Sequence, residues 1–360
     1  MNRKNLRILY ITQKVDKDDN LLHPFYKWMN LIASQIKEMT TICLQEGRHE
    51  DLAPNITVKS LGKEKGLNRK GYLKNLYTYV WQLFSQKKVD VLFVHMNEVY
   101  ILLLWPLCLI FRIPIVWWKA HGHLSWKSKL ATKMVNEVAT SSPGGFPINT
   151  PKRNVLSQGV DTDYFKLKEN YSDKVKKIIW VGRISPVKDI ETLIRAADVL
   201  VKQKNYDLVF DIIGSAPIKE QEIYFEGLKQ DVKDRNLENI VRFAGSVPHE
   251  QIVSAYQNAD VFVNTGQTGS LDKTVLEAMS VGTIVINANT GYKEILKDCP
   301  FCQFEPHNDG QLVQYLEEVM QLTAQERKDW SQKLRQIVVN DHNMIKLVDK
   351  LIGIFEKACK

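Results

Sequence analysis

The chain has 360 residues, 44% of them hydrophobic and 25% charged, which excludes a disordered or fibrous protein and suits two domains better than one core. Its net charge of +8 is uneven: residues 1–160 hold 23 Lys and Arg against 11 Asp and Glu, whereas the remainder holds 26 against 30. A first half this basic points to an anionic partner, a membrane surface or a phosphorylated acceptor. Nucleic acid is set aside, because the aromatics lie in core-like runs and no recognised binding motif accompanies the charge.

The opening "MNRKNLRILYITQKV" passes straight into a strand-like run and then into acids, so no secretory signal is expected, and with the scattered cysteines a cytoplasmic location is expected. Short apolar runs then alternate with helix-period segments, the pattern of repeated βα units on a parallel sheet. In the first half the predicted strands are "LRILYIT", "TTICL", "VDVLFVHM", "IPIVWW" and "NEVATSS". The segment "LNRKGYLKNLYTYVWQLFSQKK" predicts a helix, with Leu73, Leu76, Tyr77, Val80, Leu83 and Phe84 at helical spacing and Arg69, Lys70, Lys74, Lys87 and Lys88 around them. Such a stripe either covers the sheet or lies on an anionic membrane face.

Residues 99–119, "VYILLLWPLCLIFRIPIVWWK", are the most apolar stretch. Arg112 interrupts it, Pro106 and Pro114 break its helical continuity, and the run Val99 to Phe111 is short for the span of about 20 residues that a membrane needs. A buried helix followed by a buried strand is expected. After it, "SSPGGFPINTPKRN" closes the first pattern, and the domain boundary is placed at residues 160–172.

Six further strands are predicted, at "KKIIWVG", "DLVFDIIG", "IVRFAGS", "ADVFVNT", "GTIVINA" and "PFCQF". The expected organisation is therefore α/β, two doubly wound parallel-sheet domains over residues 1–165 and 166–340. A last helix, 341–360, is left free to pack back on the first domain. The five cysteines are scattered and fit reduced thiols. Cys299 and Cys302 have redox spacing, but with no second pair nearby they read as loop-and-strand packing.

Two segments of the second half carry chemistry. In "VGRISPVKDIETLIRAADVL" the strand turns at Gly182, and Ser185 or Asp189 is placed to cap a helix whose core face is Ile190, Leu193, Ile194, Ala197 and Leu200. Arg183 and Lys188 then sit in a strand-to-helix turn at the carboxyl edge of a parallel sheet, where open α/β sheets bind ligands. Two cations beside a helix start suit a diphosphate. In "TGSLDKTVLEAMSVG" a Gly-rich loop leads into a helix from about Asp272 to Val281 that stops at Gly282, and Glu277 lies just over one turn in. A carboxylate there accepts two hydroxyls well, so a ribose diol is a natural partner.

The ordered run of "VGRISPVKD", "IIGSAP", "VRFAGSVPHEQIVSAYQNADVFVNT" and "TVLEAMSVGTIVINANTGYKEIL" resembles the C-terminal domain of retaining family 4 glycosyltransferases, also called glycosyl transferases group 1. "SQGVDTDYF" is similar to that family's junction. The resemblance is strong over residues 155–300 and loose in the first half. It implies the GT-B fold, two facing Rossmann-like domains with a nucleotide-sugar between them. It also implies transfer of a hexose from a nucleoside-diphosphate sugar to an acceptor hydroxyl with retention, in glycolipid, cell-surface polysaccharide or other glycan synthesis.

By the same resemblance Arg183 and Lys188 hold the donor diphosphate, main-chain N–H groups at Lys273 and Thr274 face it, Glu277 holds the ribose, and Ser246 and Val247 border the base. His121 in "VWWKAHGHLSW" matches a histidine facing the transferred sugar, with His123 and His95 as substitutes. Two positions depart from the family. The acid expected eight residues before Glu277 is Gly269, where Asp272 could take over or could cap the helix, its charge offset by Lys273. The first βα loop, "TQKVDKDDNLLHPFYK", has no glycine. Asp161-Thr162-Asp163 spells a metal-binding pattern but falls in the junction, so a turn role is expected, with no metal and no cofactor. The expected partners are the donor, a glycan or lipid-linked acceptor, and an anionic membrane surface at the inner face. A non-catalytic sugar-nucleotide or glycolipid binding protein, and an epimerase or phosphorylase on the same fold, are the alternatives.

Overall fold

A computed structural model describes residues 2–19, 23–267 and 269–360, and of residues 23, 24, 249 and 250 the backbone alone. The chain divides into two compact units, Met1–Ser157 with Met344–Lys360, and Gln158–Asn343.

The first unit is a seven-stranded parallel sheet, ordered β3-β2-β1-β4-β5-β6-β7. Its strands are β1 (Arg7–Val15), β2 (Glu38–Glu46), β3 (Ile56–Ser60), β4 (Val91–His95), β5 (Ile115–Trp118), β6 (Glu137–Thr140) and β7 (Arg153–Val155). Its interior strands β4, β5 and β6 are buried along their whole length, as a sheet covered on both faces requires. On one face lie α1 (His23–Ala33) and α11 (Met344–Ala358); Val348, Leu351, Ile352 and Phe355 of α11 are fully buried in the same cluster as β1 and β4 side chains. On the other lie α2 (Arg69–Ser85), α3 (Val99–Phe111) and α4 (Trp126–Met134).

The second unit is a five-stranded parallel sheet, ordered β10-β9-β8-β11-β12: β8 (Lys177–Val181), β9 (Val209–Ile213), β10 (Val241–Gly245), β11 (Val261–Asn264) and β12 (Ile284–Asn287). Between and after them run α5 (Ile190–Asp198), α6 (Lys219–Asp234), α7 (His249–Gln257), α8 (Lys273–Val281), α9 (Asp309–Gln321) and α10 (Ala324–Asp341). The five core positions expected on the helix after β8 are all at most 1% exposed.

Several expectations are corrected. The strands β3 and β7 carry no apolar run and were not expected; both are short and at most half-buried. "PFCQF" forms a single bridge, Gln303 to Asn287, instead of a strand. Pro106 does not break α3, which runs through it with the ring on the exposed side. Nor is α3 a buried helix, since only Tyr100, Ile101, Leu104 and Cys108 are buried. Neither Ser185 nor Asp189 caps α5 through its side chain. Asp189 stands at φ 46 instead of the extended backbone of an ordinary N-cap, and its carboxylate accepts from Thr192 Oγ1 at 2.6 Å. Finally, Cys299 and Cys302 form a disulfide, because a turn closed by Cys302 N–H to Cys299 O leaves their Cα atoms 5.4 Å apart. The other three cysteines are free.

Candidate functional site

The second unit gathers its chemistry at the carboxyl ends of β8 and β11. Gly182 directly follows β8, and a Cβ there would press on the Trp180 ring at 3.0 Å. Gly214, beyond β9, is more demanding: at φ +152 a Cβ would lie 1.8 Å from the Gly182 carbonyl oxygen. The close approach of these two strand ends shapes the turn that carries Arg183 and Lys188. Arg183 is exposed and has no ion-pair partner among the described residues. Lys188 is drawn inward over Gly266, where a Cβ would lie 2.9 Å from the lysine Cδ.

There Lys188 Nζ meets Asp272 Oδ1 at 2.6 Å, with both side chains no more than 14% exposed. Asp272 stands at the N-cap of α8 yet makes no side-chain capping bond. Its second oxygen instead accepts from Asn264 Nδ2 at 3.2 Å and Asn289 Nδ2 at 3.0 Å, while its main-chain carbonyl accepts from Tyr292 Oη at 2.5 Å. Asn264 also donates to Asn287 Oδ1 at 2.7 Å, and all three asparagines are at most 2% exposed. This frame was missed in the sequence. Its signal is there, in asparagines ending two otherwise apolar strands, "VFVN" and "IVIN". The charge of Asp272 is thus met by Lys188, 84 positions away in sequence.

Glu277 lies on the buried side of α8, 9% exposed, and accepts from Tyr256 Oη at 3.3 Å. Burial raises its carboxyl pKa, a shift that the Lys273 ammonium and the tyrosine hydroxyl only partly counter. With the folded value above the ordinary 4.5, the cost of ionising Glu277 is absent below about pH 4.5 and grows as pH rises through the folded value. Ionising Glu277 is thus costly in the free unit, and a ligand that donates two hydroxyls to its carboxylate relieves that cost.

The remaining second-unit residues sit around this core. Thr274 is half-buried in the first turn of α8, and Lys273 opens that helix. Gly269 stands at φ +65 with nothing within 4 Å of a built Cβ, so the backbone suits glycine although space for a side chain exists. Ser246 is exposed and Val247 half-buried, just beyond β10. Beside Lys188, Asp189 Oδ2 pairs with His307 Nδ1 at 3.0 Å, a contact no motif signalled. Asp161 accepts the main-chain N–H groups of Asp163 and Tyr164 at 3.2 and 3.0 Å, the geometry of a turn. Among the described residues no group of three His, Cys, Asp or Glu side chains is arranged to hold a metal.

In the first unit His121 follows β5 and is exposed; its N–H donates to Gly145 O at 2.8 Å, and its Nδ1 accepts from the His123 N–H at 3.1 Å. His123 is exposed as well. His95 differs. It ends β4 at 2% exposure with its ring 4.1 Å from that of Phe25, and burial pushes its pKa down to about 3, so it is a neutral core group. Residues 20–22 of the glycine-free first loop lie outside the described residues; earlier in that loop Lys14 Nζ bridges Asp16 at 2.8 Å and Asp19 at 2.9 Å.

Residues 161–337 match the model of the family glycosyl transferases group 1. An amylovoran biosynthesis glycosyltransferase of Erwinia amylovora is 27% identical over 170 residues, 45% of this chain and 40% of the relative. A glycosyltransferase of Methanocaldococcus jannaschii is 30% identical over 164 residues, 41% of this chain and 40% of the relative. These matches thus span about two fifths of each relative's length. The crystal structure of Anabaena HepE with UDP and glucose superposes with a TM-score of 0.77 at 16% identity, covering 97% of this chain and 99% of that one. That likeness shows an α/β fold of the GT-B type, and the family match supports a glycosyltransferase family.

Proposed function

We propose that the chain is a retaining, metal-independent hexosyltransferase that moves a sugar from a nucleoside diphosphate to an acceptor hydroxyl, in glycolipid, cell-surface polysaccharide or other glycan synthesis. The observation that carries this reading is the pairing at one sheet edge of a poised cation, Lys188 on Asp272, with the buried carboxylate Glu277 one helical turn in. A cation beside a helix N-terminus suits a diphosphate, and a buried carboxylate that can accept two hydroxyls suits a ribose diol. UDP is the nucleotide of choice, since HepE, the same in fold, binds it.

In this reading Arg183 and Lys188 face the diphosphate, the N–H groups of Lys273 and Thr274 complete its cradle, and Ser246 and Val247 border the base. The acceptor oxygen attacks the anomeric carbon from the face the diphosphate leaves, the bond from that carbon to the β-phosphate oxygen breaks, and the acceptor proton passes to that oxygen. Preorganised cations facing the developing charge lower the barrier. His121, with His123 as substitute, faces the transferred sugar. The acceptor is lipid-linked or a membrane-facing glycan, and the enzyme works peripherally at the inner face of the membrane.

Incubating the purified chain with UDP-sugars and lipid-linked acceptors tests this. The expected product keeps the donor's anomeric configuration by NMR; inversion overturns the retaining mechanism. A second reading, a non-catalytic binder, is favoured by Gly269 in place of the sugar-contacting acid, and any acceptor-dependent turnover removes it.

A further inference from the structure

The three helices α2, α3 and α4 cover one face of the first sheet through a shared cluster that includes Val80, Phe84, Ile101, Leu104 and Ala131. Their outward side is unusual in two respects. The first is apolar exposure. Trp81 is 55% exposed on α2, Leu109 and Ile110 are 56% and 69% exposed on α3, and Trp126 is 69% exposed on α4. Helix α3 contains no polar residue except Tyr100, Cys108 apart, yet it lies on the surface, whereas a helix apolar all round belongs in a core or against lipid. Helices α2 and α3 meet on this side: the Trp81 ring packs edge-on against half-buried Phe111 at 5.5 Å, and Tyr77 Oη donates to Leu103 O at 2.9 Å.

The second is charge. The three helices contain no Asp or Glu, but hold Arg69, Lys70, Lys74, Lys127, Lys129 and Lys133, all exposed and none with an acidic partner among the described residues. Lys87, Lys88 and Arg112, at the ends of α2 and α3, share that condition. The Lys127 ammonium sits 5.8 Å from the Trp126 ring centroid.

We propose that this α2–α3–α4 face docks on an anionic lipid bilayer, seating Trp81, Leu109, Ile110 and Trp126 at the depth of the acyl boundary while the cations meet the headgroups. Charge complementarity selects this occupant. A second copy would bring the same acid-free face against itself, which like charges oppose. Apolar and aromatic anchors ringed by lysines are the composition of an interfacial helix, whose aliphatic lysine stems reach past apolar surface. No helix among the described residues is long and apolar enough to cross a membrane, so the contact lies in the interface plane. The proposal gives the membrane-facing part of the proposed function a surface, and rests on that reading only for its purpose.

The test is flotation of the full chain with phosphatidylcholine vesicles, with and without phosphatidylglycerol, at low and high salt. Ile110→Glu and Trp126→Glu are compared with Ile223→Glu, a control on an exposed residue of α6. Expected are binding to the anionic vesicles alone, weakening with salt, and at least about tenfold weaker binding for the two face variants but not the control. UDP binding, measured in parallel, stays unchanged, so failure of the donor reading is separable. Absence of vesicle binding overturns the proposal. So does binding indifferent to Ile110→Glu, or a concentration-dependent dimer that this substitution dissolves.

Discussion

Lys188→Ala is expected to lower turnover with the nucleotide sugar about 100- to 1000-fold, the range for removing one preorganised group that faces transition-state charge. Two effects act together. The substitution removes the cation from the candidate diphosphate site, and it strips Asp272 of its partner at 2.6 Å. What stays behind is a carboxylate fixed by Asn264 and Asn289 at the start of α8, where the donor's negative charge would have to go. Lys188→Arg keeps the charge, but Gly266 leaves little room for a wider head group, so it restores activity only in part. Asp272→Asn separates the two effects: it frees Lys188 without adding a bare carboxylate, and retains more activity than Lys188→Ala. Steady-state rates at saturating donor decide this, and a loss under threefold for Lys188→Ala removes the residue from the site.

Gly214→Ala is expected to cost the second unit about 2 to 4 kcal/mol, the range for a severe backbone conflict in a packed region. The added carbon at 1.8 Å from the Gly182 carbonyl oxygen cannot be relieved by a side-chain rotation, because both sides of the contact are backbone. Either β8 and β9 part at their carboxyl ends, breaking the bond from Gly182 N–H to Ile213 O, or the turn that bears Lys188 shifts. The expected fall in unfolding temperature is roughly 5 to 15 °C. Gly227→Ala, on an open helical surface with nothing within 4 Å of its Cβ, serves as the control and is neutral or slightly stabilising.

Much of this architecture is legible in the chain because parallel strands buried on both faces read as unbroken apolar runs. Strands β4, β5, β11 and β12 follow that rule, as do the central residues of β1 and β8, whereas β9 carries Asp211 and the edge strand β10 exposes Arg242. Strands β3 and β7 escape it because they form the two opposite edges of the sheet with partly exposed side chains, so their sequences, "ITVKS" and "RNV", carry no run. "PFCQF" misleads for the converse reason: its apolar residues fill the core around a disulfide without a ladder to join.

At the candidate site the glycines and cations were visible as motif positions, and the structure brings Lys188, Asp272 and Glu277 to one sheet edge. What local pattern could not supply is which acid meets which base. The start of α8 turns the aspartate toward Lys188 and the asparagines Asn264 and Asn289, across a separation no periodicity encodes. The outward face of α2 shows the same limit. Its stripe divides between Leu76, Val80, Leu83 and Phe84, buried on the sheet, and Leu73 and Tyr77, each 39% exposed. Helical spacing alone puts all six together.

In the proposed function, the edge formed by Lys188, Asp272 and Glu277 holds a nucleoside diphosphate through its ribose and phosphates. Calorimetric titration of the full chain with UDP, GDP and ADP in EDTA, repeated with Glu277→Gln, tests it most directly. One nucleotide is expected to bind with a Kd on the order of micromolar, weakened at least about tenfold by Glu277→Gln, as loss of hydrogen bonds to a charged acceptor implies. Binding of none of the three, or equal binding by the variant, contradicts the claim.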